Sequence, residues 1–167
     1  MFQIGVIGSG IGISNDIKKI AYDVGAEIAR KKGILICGGK GGVMESACKG
    51  CHDFNGISVG ILPSISPDEA NQYVTIKIPT NMGENRNFLV VQSSDILICI
   101  AGVLGTRIEA NYSLKLNKTL ITIPKSGGVS EEFYNKYVNN KNYRVFSAKN
   151  GIDAVNLAFS LLEKNKI

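Results

Sequence analysis

Two hydrophobic patterns alternate along the chain. Short runs of aliphatic and β-branched residues occupy Phe2–Ile7, Ile34–Cys37, Ile57–Ile61, Val74–Ile78, Asp95–Ile100, Thr119–Ile123 and Tyr143–Phe146. Such runs, bounded by glycine and polar turns, predict strands. Between them apolar residues recur every three or four positions, which predicts helices. These cover Asn15–Lys32, a stretch from near Val43 to about Asn55, Asn85–Ser93, Thr106–Leu116, Ser130–Tyr137 and Ile152–Lys164. In the first helix Ile17, Ile20, Ala21, Val24 and Ile28 form one face, with Ser14 or Asn15 as its cap. Continuously apolar strands that alternate with helices imply an α/β fold, a doubly wound, mainly parallel sheet with helices on both faces. Ligands of such sheets bind beyond the carboxyl ends of the strands, where the strand order switches.

A chain of 167 residues suits one domain, here taken as residues 1–167, and no repeat or linker divides it. The loop from Pro63 to Asn71 is expected to be its most mobile segment. Hydrophobic residues make up 44% and charged residues 20%, an ordinary globular balance. The longest apolar run, Ile96–Gly105, is far too short to span a bilayer, and no signal peptide is visible, so the expected location is the cytoplasm. The net charge of +5 is scattered, without an arginine-rich arm or a basic stripe interleaved with aromatics. That argues against nucleic acid and fits a small phosphorylated ligand.

Three predicted strands run into glycine-rich turns that open helices: Gly8-Ser9-Gly10-Ile11-Gly12, Gly38-Gly39-Lys40-Gly41-Gly42 and Ala101-Gly102-Val103-Leu104-Gly105-Thr106. Glycine admits close backbone approach, and a helix start offers free N–H groups and partial positive charge. Together these features favour an anion. The first turn lacks the dinucleotide pattern G-x-G-x-x-G, and the second is not a Walker loop. Three of them at one sheet edge nevertheless predict a phosphate site. Its expected residues are Gly8, Ser9, Gly10, Gly39, Lys40, Gly41, Gly42, Met44, Arg86, Gly102, Gly105 and Thr106. A plainer reading of Thr106-Arg107-Ile108-Glu109 is a capping box, with Thr106 as helix cap and Glu109 folded back onto it.

Cys48-Lys49-Gly50-Cys51-His52 matches the C-x-x-C-H haem-attachment pattern. Helical spacing instead groups Val43, Ala47, Cys51 and Phe54 on one face, which reads as core, with Cys48 on the same side. Cys37 and Cys99 lie within predicted strands, so no metal site is expected. A Cys48–Cys51 redox pair in the middle of a helix is not expected either. His52, the only histidine, reads as a surface residue at the helix end.

Several motifs together carry a family likeness. They are Gly38-Gly39-Lys40-Gly41-Gly42-Val43-Met44, Gly60-Ile61-Leu62-Pro63, Met82-Gly83-Glu84-Asn85-Arg86-Asn87 and Ala101-Gly102-Val103-Leu104-Gly105-Thr106-Arg107-Ile108-Glu109. They resemble the Lonely Guy family of nucleotide phosphoribohydrolases, long mislabelled lysine decarboxylases, whose signature is P-G-G-x-G-T-x-x-E. Glu84–Asn87 is most similar to the molybdenum-cofactor carrier branch. The resemblance spans nearly the whole chain and implies a Rossmann-like fold and a homo-oligomer, a dimer or tetramer. It places the family's catalytic glutamate on Glu109 and its arginine on Arg86. Two departures stand out: Ala101 and Val103 replace the proline and second glycine of the signature, and Asn87 follows Arg86 where the hydrolases carry lysine. The favoured function is a binding or carrier protein for a nucleotide, phosphate or molybdopterin-type cofactor, with no cofactor required for chemistry. The alternatives are cleavage of nucleoside 5′-monophosphates at the N-glycosidic bond by Arg86 and Glu109, and a non-enzymatic regulatory module whose glycine turns serve topology alone.

Overall fold

The computed structural model describes residues 1–164. The chain alternates β1 (Gln3–Gly8), α1 (Asn15–Arg30), β2 (Ile34–Cys37), α2 (Val43–Asp53), β3 (Ile57–Leu62), β4 (Ile76–Pro79), α3 (Arg86–Ser93), β5 (Ile96–Ile100), α4 (Leu104–Lys115), β6 (Thr119–Thr122), α5 (Gly128–Tyr137), β7 (Val145–Ser147) and α6 (Gly151–Lys164). Short 3-10 turns sit at Pro67–Glu69, Gly83–Asn85 and Pro124–Ser126. All pairings are parallel, and the sheet order is β4-β3-β2-β1-β5-β6-β7. The predicted α/β class and every predicted element are present. Boundaries move by up to two residues at most ends, the reach of helix-end fraying.

The order reverses between β1 and β5, so the ends of these two strands flank the crevice. One face of the sheet carries α1, α2 and α6 over Ile4, Val6, Leu35, Cys37, Ile98 and Ile121. The other carries α3, α4 and α5 over Ile7, Ile36, Ile61, Leu97, Cys99 and Leu120. Every residue of β5 is buried, which fits a strand covered on both sides. Each fully buried aliphatic side chain contributes about 1.5–3 kcal/mol through removal from water.

Ser14, not Asn15, caps α1 by accepting the Ile17 N–H at 3.3 Å. Helices α1 and α2 pack closely because Gly25 lies on the Ala47 carbonyl and Gly50 on the Tyr22 carbonyl, where a Cβ would collide with backbone. Val43, Ala47 and Cys51 of α2 are fully buried, as their spacing predicts. Phe54 departs from that stripe. It follows the end of the helix, stays 39% exposed, and carries the Arg30 guanidinium 3.9 Å above its ring. Cys48 is buried as well, and His52 sits at the exposed helix end. The loop expected to be mobile is anchored: Ser66 caps its 3-10 turn, and Asn71 donates to the Gly39 and Lys40 carbonyls at 3.2 and 2.9 Å.

Candidate functional site

The turns after β1, β2 and β5 converge on a cavity of about 340 Å³, within the size range of small-ligand pockets. Its lining is Gly8, Ser9, Gly10, Lys40, Met44, Pro63, Glu84, Arg86, Asn87, Val103, Gly105, Thr106 and Glu109. The crevice is therefore open rather than filled by side chains, which tells against glycine turns that serve topology alone. Nine of the anticipated residues meet there. Gly39, Gly41, Gly42 and Gly102 lie behind the wall.

Those four glycines permit close approach. Gly42 has φ +65° and sits against the Ser9 and Gly10 backbone, so the first two turns nest together. The Val43 N–H donates to the Ser9 carbonyl at 2.9 Å and ties α2 to the end of β1. Gly102 has φ +105°, and a Cβ there would strike the Thr106 side chain. Ala101, at φ 50°, is held by its N–H to Ser126 Oγ at 2.7 Å and by its carbonyl to the Ser130 N–H at 3.0 Å.

This turn corrects the capping-box expectation. The left-handed residues at 101 and 102 start α4 two positions early, so Val103 is the N-cap and no side chain caps the helix. Thr106 falls inside the first turn, 3% exposed and packed on Gly102. Glu109 is a turn further on and does not reach the helix start. The opening N–H groups of α4 have no intrahelical acceptors and adjoin the cavity at Gly105 and Thr106.

Arg86 and Glu109 come from different helices and meet across the floor. The guanidinium Nη1 is 3.7 Å from Glu109 Oε1 and donates to Asn87 Oδ1 at 2.8 Å. It lies flat against Gly38, where an added Cβ would come within 2.6 Å of Nη2. Its Nε is buried and has no hydrogen-bond partner. An unmade hydrogen bond on a buried cationic group is costly, so this atom marks a place for an acceptor. Burial draws the Arg86 pKa down, opposed by Glu109. Glu109, 7% exposed, is pushed up to about 7 by burial, and Arg86 offsets only part of this. A contact at 3.7 Å without a hydrogen bond is a weak remedy for lost hydration.

At the rim, Lys40 pairs with Glu69 at 3.0 Å instead of projecting freely. Ser9 Oγ is used within its own turn, donating to the Ile11 carbonyl at 2.6 Å. Asn87, Glu84, Pro63 and Val103 line the cavity although they were not expected as site residues. All four lie within the motifs quoted for the family, and Asn87, immediately after Arg86, was the clearest available signal. Among the described residues no cluster of three or more histidine, cysteine or acidic side chains could hold a metal. No described helix is long and apolar enough to cross a membrane.

Comparison with known proteins fits this arrangement. The chain is 43% identical over 123 residues to an uncharacterized protein from Archaeoglobus fulgidus, covering 74% of this chain and 80% of that one. The molybdenum cofactor binding protein of Rippkaea orientalis superposes with a TM-score of 0.86 at 33% identity, over 96% of both chains. The molybdenum cofactor carrier protein of Chlamydomonas reinhardtii gives 0.83 at 28% identity, over 98% of this chain and 99% of that one. These similarities bear out the resemblance read from the motifs. Residues 1–155 match one Lonely Guy-like family throughout, and the chain belongs to the SLOG cluster4 family.

Proposed function

We propose that this protein binds and carries a phosphorylated small molecule, a molybdopterin-type cofactor or a nucleotide, in the cavity at the β1/β5 switch. The observation that carries this reading is Arg86, whose Nε is buried without a partner and whose side chain lines the same cavity as the free N–H groups that open α4. A phosphate there accepts from both, and the charge-assisted bonds fix its orientation. The similarity to cofactor binding and carrier proteins over almost the whole chain supports a carrier. Titration calorimetry with inorganic phosphate and AMP, and mass spectrometry of whatever small molecule copurifies, test it. Arg86→Ala is expected to weaken phosphate binding about 100-fold, as loss of bonds to a charged group does. Equal binding by Arg86→Ala, with nothing copurifying, refutes the proposal.

Hydrolysis of a nucleoside 5′-monophosphate is the second reading, favoured by a titratable Glu109 beside Arg86. It needs an ionised carboxylate near the sugar's anomeric carbon. Burial pushes Glu109 up to about 7 and so disfavours its ionised form, which weighs toward binding without turnover. Adenine released from AMP by the wild type, and not by Glu109→Gln, would establish this reading instead.

The carrier is proposed to act in the cytoplasm as a homo-oligomer. On the α3/α4 face of the sheet, Ile57, Ile76 and Ile78 of β3 and β4 are exposed, with Phe88 and Ile108 on the neighbouring helices. A second copy would cover these residues. Sedimentation is expected to show a dimer or larger assembly, and Ile78→Glu to reduce its mass to that of one chain.

A further inference from the structure

All four cysteines are free and fully buried, yet only two of them touch. Cys37 ends β2 and Cys48 lies one turn into α2, with their Sγ atoms 3.5 Å apart. Buried cysteines that serve packing alone need no polar neighbours. These have several. The Gly39 N–H donates to Cys37 Sγ at 3.3 Å, and the Asn71 and Ser58 side chains reach Cys48.

We propose that Cys37 and Cys48 form a redox site, closed to a disulfide by a hydroperoxide and reopened by thiols, whose state controls the glycine turn above it. The effect on ligand binding rests on the cavity being the binding site; the disulfide itself does not.

The chemistry balances. Cys48 attacks the peroxide oxygen, the O–O bond breaks, and water leaves a sulfenic acid on Cys48. The Cys37 sulfur then attacks that sulfur, the S–O bond breaks, and a second water carries away the Cys37 proton. Two thiols are oxidised, and hydrogen peroxide is reduced to two waters.

The local electrostatics assign the roles. The two thiols share a hydrogen bond in which either sulfur can donate; it holds Cys37 well above the usual thiol range and draws Cys48 below it, with help from Asn71 and Ser58. The attacking species is the thiolate, so Cys48 reacts first. Cys51 is pushed up to about 12 by burial, and Cys99 is also raised by burial, so both should stay inert. Neither thiol of the pair meets solvent, so the peroxide enters through local opening.

The link to the cavity is short. Closing the bond brings sulfurs now 3.5 Å apart to about 2.05 Å. Close-packed surroundings cannot absorb such a shift without moving neighbours. Gly38, next to Cys37, is the seat of the Arg86 guanidinium, and the Gly39 carbonyl anchors Asn71. Lys40, which follows, lines the cavity. Pulling on Cys37 therefore disturbs the turn on which Arg86 rests.

Three measurements on the full chain test this. Protein treated with hydrogen peroxide, alkylated and digested is expected to show a Cys37–Cys48 crosslink that dithiothreitol removes, with Cys51 and Cys99 still free. Amide exchange at residues 38–42 is expected to rise in the oxidised form, whether or not any ligand binds. Phosphate affinity is expected to fall about tenfold, a usual size for coupling between sites. The crosslink and the faster exchange should both disappear in Cys48→Ala and persist in Cys51→Ala. Four free thiols after peroxide, a crosslink through Cys51, or unchanged exchange at 38–42 would each overturn the proposal. Normal exchange changes without phosphate binding in either form would overturn the cavity assignment and leave the redox site standing.

Discussion

The turns after β2 and β5 look alike in sequence, each glycine-rich and leading from a buried strand into a helix, but they do different physical work. In the β2 turn the glycines face protein: Gly38 the Arg86 guanidinium, Gly39 the Leu62 side chain and Gly60, Gly41 and Gly42 the backbone of Ser9 and Gly10. Only Lys40 of that turn lines the cavity. In the β5 turn Gly102 packs on Thr106, whereas Gly105 has nothing within 4 Å of an added Cβ and lies open to the cavity. One turn builds the wall, and the other presents the helix start to the cavity. A glycine count does not distinguish these uses; the atoms opposite each Cα do.

Substitutions that separate the two turns put this to the test. Gly42→Val is expected to have the largest effect. It forces a β-branched residue to φ +65° and into the Ser9 and Gly10 backbone, and should lower unfolding stability by about 3 kcal/mol in urea titration. A variant as stable as the wild type would show that the wall tolerates side chains.

Glu109→Gln should come next, with an effect that depends on pH. Its folded pKa, about 7, lies above the ordinary 4.5, so between these values the folded chain keeps a proton that the unfolded chain has lost. Stability therefore falls as pH rises from 4.5 to about 7, and the penalty is complete above that. At pH 8 the variant should be more stable than the wild type by up to about 3 kcal/mol, and the gap should close by pH 4. Phosphate affinity should fall through neutrality in the wild type, as Glu109 becomes anionic, and stay flat in the variant. Parallel stability curves would show that the carboxyl is not strained by burial.

Gly105→Ala should leave stability equal or slightly improved, because alanine favours a helix where nothing obstructs its methyl group. Phosphate affinity should fall about tenfold, since the methyl group intrudes on the cavity. Cys48→Ser should change binding by reduced protein least, within about twofold, because serine can keep the polar contacts of a side chain that does not line the cavity. A large loss of binding there would move the site toward the cysteines and away from the β5 turn.

Reading the sequence succeeded where the physics is local. Strand runs such as Ile34–Cys37 and Ile96–Ile100 are apolar because both sheet faces are covered, and that shows in a few consecutive letters. It failed at Thr106 and Glu109, where a capping box fitted the spacing but the left-handed turn at Ala101 and Gly102 had already begun the helix. No local pattern records that Ser126, in the 3-10 turn before α5, and Ser130, in α5, grip this turn. The cysteines divide in the same way. Helical spacing buries Cys51 and rejects the haem motif, but the partner of Cys48 is Cys37, on a strand, and only the packing of α2 over β2 brings the two thiols together.

The sequence by itself determined the parallel α/β architecture, the three glycine turns at one sheet edge, and the family to which they belong. Alternating hydrophobic periods and backbone freedom are properties of neighbouring residues, so one dimension suffices to express them. Tertiary structure decided which glycines are wall and which are cavity, placed Arg86 against Glu109, and left the arginine Nε without a partner. Those features depend on distances between segments far apart in the chain. They arise only when the sheet order reverses between β1 and β5 and brings α3, α4 and the β2 turn around one space.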